Sequence, residues 1–109
     1  MAYAQGSVVL APASFRGGRR PYLVVSNSDR PFFGDEYTVA VITTTERDDA
    51  IELTRDSFSE GRLDRYPSYV NPWSLHVFPH DEITRRVGQL DAATVAEIVE
   101  GITEFVRPE

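Results

Sequence analysis

Four residues in succession, Tyr22-Leu23-Val24-Val25, leave neither face of a strand polar. Successive side chains on a strand point to opposite faces. Such a run therefore needs cover on both sides and belongs in the middle of a sheet. Pro21 lacks a backbone donor and suits the first position of that strand. Gly17 and Gly18 lead into it, followed by Arg19 and Arg20. Arg20 is thereby expected at the lip of a rigid strand fed by a flexible loop, where binding and catalytic groups are commonly held. The competing reading is an arginine that only pairs with a surface carboxylate.

Around this strand the pattern is β-rich. Residues 5–11 read as a first strand centred on Val8, Val9 and Leu10 and ended by Pro12. Residues 37–45 form another, dominated by β-branched side chains and running out of the core through Thr43, Thr44 and Thr45. Residues 50–54 read as a short strand with Ile51 and Leu53 facing in and Glu52 out, residues 55–65 as polar and irregular. Residues 68–77 read as strand with a break near Asn71-Pro72, residues 78–83 as a turn or short strand, and residues 84–90 as strand. Strands of this length and spacing predict a small barrel or sandwich. Asp91 then caps a helix over residues 92–106, with Val95, Ile98, Val99, Ile102, Phe105 and Val106 on one apolar stripe. Gly101 inside it costs up to about 1 kcal/mol relative to alanine, which points to close packing there. Nothing reads as a linker or repeat, so residues 1–109 are expected to form one domain.

Composition excludes several function classes. The 109 residues contain no cysteine, so neither a disulfide framework nor a thiolate metal site is available. No apolar run approaches the ~20 residues of a membrane span, and residues 1–6 lack the basic and apolar regions of a signal peptide, so a cytoplasmic protein with no membrane partner is expected. The net charge of −6 argues, taken alone, against a general nucleic-acid binder. All eleven basic residues are arginine. A compositional bias such as a GC-rich genome explains that economically, and with the acidity it suggests a salt-adapted or otherwise biased source.

The chemistry on offer is narrow. There is no phosphate-binding glycine loop, dinucleotide fingerprint or zinc-protease motif. His76 and His80, four apart on a strand, stand about 13 Å from each other with no third ligand nearby, so no metal site is expected. What remains is arginine plus hydroxyls: Arg16, Arg19 and Arg20 beside Thr43, Thr44 and Thr45. Such a set suits a phosphate, because guanidinium groups stabilise the charge that develops in phosphoryl transfer. For the threonines, plain β-propensity is the alternative. Phe32 and Phe33 either tuck under their loop as a lid or stack on a partner. Tyr69 and Trp73 either pack in the core or stack on bases.

Gly6-Ser7-Val8-Val9-Leu10, Gly18-Arg19-Arg20-Pro21-Tyr22-Leu23-Val24-Val25-Ser26-Asn27, Val39-Ala40-Val41-Ile42-Thr43 and Gly88-Gln89-Leu90-Asp91 with its following helix together resemble the MazF/PemK family of toxin ribonucleases. The likeness covers residues 5–106. It implies a β-rich α+β fold, an SH3-like partly open β-barrel of the MazF/PemK/CcdB kind with a C-terminal helix, usually homodimeric. It further implies cleavage of single-stranded RNA without metal or cofactor, by attack of a 2′-hydroxyl on the adjacent phosphate. The implied partner is a short acidic antitoxin, together with which such toxins bind DNA. By the same resemblance Arg20 and Thr43 are the catalytic positions, and Arg16, Arg19 and Thr44 are expected to contact RNA. A non-catalytic barrel that binds RNA or a protein is the alternative function. The chain departs from the family pattern in its short first loop, residues 13–18, which carries no acid, so no general base is implied there. Residues 68–73 also lack the commoner acidic pattern.

Overall fold

The computed structural model describes residues 1–13 and 17–109. Among these run seven strands, β1 (Ser7–Pro12), β2 (Arg19–Val24), β3 (Glu36–Thr43), β4 (Ile51–Leu53), β5 (Phe58–Gly61), β6 (Ser68–Pro79) and β7 (Arg85–Leu90), and one α-helix, α1 (Ala92–Glu104). They form one antiparallel sheet in the order β4-β6-β3-β2-β1-β7-β5, which puts β2 at its centre.

Both faces of β2 are covered, as the unbroken apolar run requires. Leu23 shares one buried cluster with Val8, Ala40, Ile42, Val70 and Ile98. Tyr22 and Val24 share the other with Val9, Tyr37, Val39 and Val41. Leu53 from one edge strand and Leu90 from beside the other edge lie in the same cluster, with Phe58 packed against it. A flat sheet of seven strands would hold those edges about 29 Å apart, so the sheet curls into a half-barrel. Ile98 of α1 fills its concave side.

The helix begins as its sequence dictates: the Asp91 carboxylate accepts the Thr94 N–H at 2.8 Å. Gly101 faces the sheet, where an added Cβ would lie 3.1 Å from Ile51 Cδ1 and 3.5 Å from Pro72. No helix among the described residues is long and apolar enough to cross a membrane.

Several expectations are corrected. Pro21 is the third residue of β2, and Pro12 is the last residue of β1 rather than its stop. Residues 55–65 are not irregular: a 3₁₀ turn (Arg55–Ser57) leads into β5, which pairs with β7. The expected break at Asn71-Pro72 is a bulge within one long strand, where the pairing jumps from Ala40↔Leu75 to Val41↔Asn71. Helix α1 ends at Glu104, two residues early, and its stripe is only half covered: Val99, Phe105 and Val106 are exposed. Phe33 packs against the second cluster, but Phe32, at φ 62, turns outward and is 69% exposed, so the pair is no lid. Tyr69 is buried, whereas Trp73 is exposed.

Candidate active site

The end of the β2–β3 ladder sets the position of Arg20. The ladder pairs Tyr22↔Val41, Leu23↔Ala40 and Val24↔Val39, and Val25 N–H donates to Thr38 O at 3.0 Å. Hydrogen-bonded pairs alternate along an antiparallel ladder. Continuing that phase from Val25 brings Pro21 opposite Ile42 at a bonded position, where proline has no N–H to give. The Arg20 Nη2–H fills the role, donating to the Ile42 carbonyl at 2.9 Å. The guanidinium carbon also stands 5.8 Å from the Tyr22 ring centroid, within cation–π range. Its Nε is buried and meets no acceptor among the described residues. The bland reading of Arg20 fails there too, since no carboxylate of the described residues pairs with it.

Thr43 follows Ile42 at the end of β3, so the same strand end presents Arg20's anchor and a hydroxyl. Thr43 Oγ1 accepts the Thr45 N–H at 3.2 Å, which leaves its own O–H free to donate outward. Tyr69 pairs with Thr43 across β3 and β6. Burial first, then the carboxylates of Glu46 and Glu52, push its phenol above the ordinary tyrosine range, so it stays neutral.

Arg19, Arg20, Thr43 and Thr44 line one cleft of about 640 Å³. Arg16 lies outside the described residues, and Thr45 does not line the cleft. The cleft also holds Arg62, Arg65 and Arg85, which the sequence did not single out. The first two lie in the stretch 55–65, which reads as polar and irregular, and the third in the stretch 84–90, which reads only as strand. What marks them is the distribution of charge pairs, which only the folded structure shows. Arg30, Arg86 and Arg107 are matched by Glu36, Glu60 and Glu104, and Arg55 lies over Tyr66 at 5.6 Å. Arg47 apart, every other described arginine lines this cleft, opposed there by a single carboxylate, Asp64. On a chain of net charge −6 this is a local cationic field, and a cleft focuses such a field on an anion.

The two histidines are used elsewhere. His76 stacks near Phe78, and His80 Nδ1 is 2.8 Å from the Tyr37 hydroxyl. No group of three metal-ligating side chains occurs among the described residues.

Comparison with known proteins identifies the family and the fold. Residues 4–106 match the family described as PemK-like, MazF-like toxin of type II toxin–antitoxin system. Among solved structures, an endoribonuclease from a mycobacterial species in complex with its cognate antitoxin superposes with a TM-score of 0.75 at 21% identity, covering 99% of this chain and 97% of that one. The Mycobacterium tuberculosis toxin MazF-mt6 gives 0.70 at 25% identity, covering 90% and 93%. MazF from a MazE–MazF crystal of Deinococcus radiodurans gives 0.74 at 16% identity, covering 100% and 99%. No curated protein sequence matches the chain.

Proposed function

The chain belongs to the PemK-like, MazF-like toxin family of type II toxin–antitoxin systems, and from that premise we propose that it is a metal-independent endoribonuclease of single-stranded RNA. The observation that carries the reading is the Arg20 guanidinium, tied to the Ile42 carbonyl beside the Thr43 hydroxyl at the mouth of a cleft lined by five arginines.

The 2′-hydroxyl oxygen attacks the adjacent phosphorus, its proton passing to a base. The P–O5′ bond breaks, leaving a 2′,3′-cyclic phosphate and a 5′-hydroxyl. Charge builds on the non-bridging oxygens of the phosphorane, and donors fixed beforehand stabilise it more than they stabilise the ground state. Arg20 is the charged donor and assists protonation of the departing 5′-oxygen. Thr43 donates a neutral hydrogen bond to the phosphate. Arg19, Thr44 and, outside the described residues, Arg16 hold the flanking chain.

The same cleft suits the acidic tail of an antitoxin, and RNA as target places the toxin in the cytoplasm. A second copy of the chain fits the uncovered apolar face where Trp73 of β6 meets Phe105 of α1, ring centroids 5.7 Å apart.

The test is incubation with mixed-sequence single-stranded RNA in EDTA at low and high salt, followed by identification of the new ends. Cyclic phosphate and 5′-hydroxyl ends are expected. Intact RNA from folded protein under every condition overturns the enzyme. Binding without cutting moves the assignment to the non-catalytic barrel.

A further inference from the structure

We propose that Arg62, Arg65 and Arg85 form a second anion site in the cleft, which holds a backbone phosphate flanking the one at Arg20. The inference rests on the ribonuclease reading of the same cleft and names residues that the family likeness did not reach.

Two separate elements supply the three arginines, and both are fixed by the core. In residues 62–67 Leu63 is buried in the concave cluster, with Tyr66 packed against it. The segment is tied at both ends. Arg62 N–H donates to Val87 O at 3.3 Å. Leu63 N–H donates to the Tyr66 hydroxyl at 2.9 Å, and the Ser68 hydroxyl donates to Arg65 O at 2.7 Å. With Leu63 pinned inward, its neighbours Arg62 and Asp64 and the following Arg65 are left on the exposed side, lining the cleft. Arg85 opens β7, where it pairs with Leu10 of β1, and the preceding Thr84 N–H donates to Leu10 O at 2.9 Å.

Leu10 also pairs with Pro21 on its other side. Arg85 therefore stands two strands from the Arg20-Pro21 step, a backbone separation of about 10 Å. Guanidinium groups on walls that far apart match successive phosphates on one strand better than a single phosphate gripped twice. Among the described residues none of the three pairs with a carboxylate, although the protein carries an excess of them. Unpaired like charges repel, so this cluster costs stability in the free protein, and a bound polyanion removes the cost. Arginine's planar fork fits a phosphate with two parallel hydrogen bonds.

The experiment uses a fluorescein-labelled, mixed-sequence 2′-O-methyl RNA, which lacks the attacking hydroxyl and stays intact. Binding is read by anisotropy from 50 to 300 mM salt for the wild type, Arg85→Gln, the triple variant Arg62→Gln/Arg65→Gln/Arg85→Gln and, outside the cleft, Arg107→Ala. All are checked by thermal melting. The triple variant is expected to bind at least about tenfold more weakly at low salt, with its salt slope reduced by about 0.7, because each single-strand phosphate that the protein neutralises adds about 0.7 to the slope and the site holds one. Arg85→Gln weakens binding less than the triple variant does, and Arg107→Ala leaves it unchanged. On cleavable RNA, the half-saturating concentration in single-turnover experiments rises by more than the plateau falls. A triple variant that melts like the wild type and keeps the wild-type salt slope overturns the proposal. So does one that loses only binding of a poly-glutamate peptide, which would assign the site to an acidic protein. A wild type that binds this RNA with the predicted arginine dependence yet leaves unmodified, cleavable RNA intact retains the anion site and loses the enzyme; a wild type that binds no RNA loses both.

Discussion

Arg20 and Ile42 are joined because Pro21 stands between the arginine and the bond that a backbone would make. The phase of the β2–β3 ladder calls for a donor from position 21 to the Ile42 carbonyl. Proline has none, and the Arg20 Nη2–H makes the bond at 2.9 Å. The dipeptide thus works as a unit: one residue opens the acceptor and the other occupies it, which fixes a guanidinium at the cleft.

Pro21→Ala restores a backbone N–H that competes for the Ile42 carbonyl and loosens the guanidinium. Single-turnover cleavage is expected to fall by up to about 10², the scale on which small misplacements of reacting groups act, while the melting temperature stays near that of the wild type. Unchanged turnover in a folded Pro21→Ala protein contradicts the positioning role.

Thr43→Ala removes a neutral donor while leaving Arg20 anchored. Neutral hydrogen bonds are roughly half as strong as charge-assisted ones, so turnover is expected to fall by about tenfold, less than for any change at Arg20. A larger loss at Thr43 than at Arg20, measured by single-turnover cleavage, would exchange their roles.

In the proposed dimer, the half-covered stripe of α1 supplies the contact. Trp73→Glu with Phe105→Glu places charge on the exposed face where the two rings meet. Sedimentation at micromolar concentration is expected to show a dimer for the wild type and a monomer for the double variant. A monomeric wild type removes this face from the assembly.

Asp91 links helix stability to pH. The hydrogen bonds from Thr94, side chain first and then backbone, hold its carboxyl below the ordinary carboxylate range. The native state therefore binds this proton less readily than the unfolded chain. The contribution is complete above the unfolded carboxylate value near 3.9 and is lost as pH falls through the lower native value. Asp91→Ala is expected to lower the melting temperature by roughly 4–8 °C at pH 7, and the gap to the wild type should close in strong acid. A gap independent of pH contradicts the linkage.

What the chain disclosed in advance follows from how much of each signal is local. β2 and β3 were legible because both of their faces are apolar and β-branched, and α1 because Asp91 and a 3.6-residue stripe mark it. β5 was not: only Phe58 of its four residues reaches the core, and period two over Phe58-Ser59-Glu60-Gly61 leaves no pattern to read. Phe32 misled because an aromatic at positive φ is not foreseeable from its neighbours. Within the cleft, Arg20 and Thr43 were readable from neighbouring strand ends. Arg62, Arg65 and Arg85 converge only through the curl of the sheet and the burial of Leu63, which are tertiary facts.

Arg20→Lys is the most direct test, because it keeps the charge and removes the fork. Single-turnover cleavage is measured beside equilibrium binding of uncleavable RNA. If Arg20 stabilises charge that appears only in the transition state, Arg20→Lys loses about 10²–10³ in turnover while affinity falls far less, since the other arginines of the cleft still attract the backbone. If Arg20→Lys cleaves as fast as the wild type, Arg20 is only a counter-charge and its catalytic role is wrong.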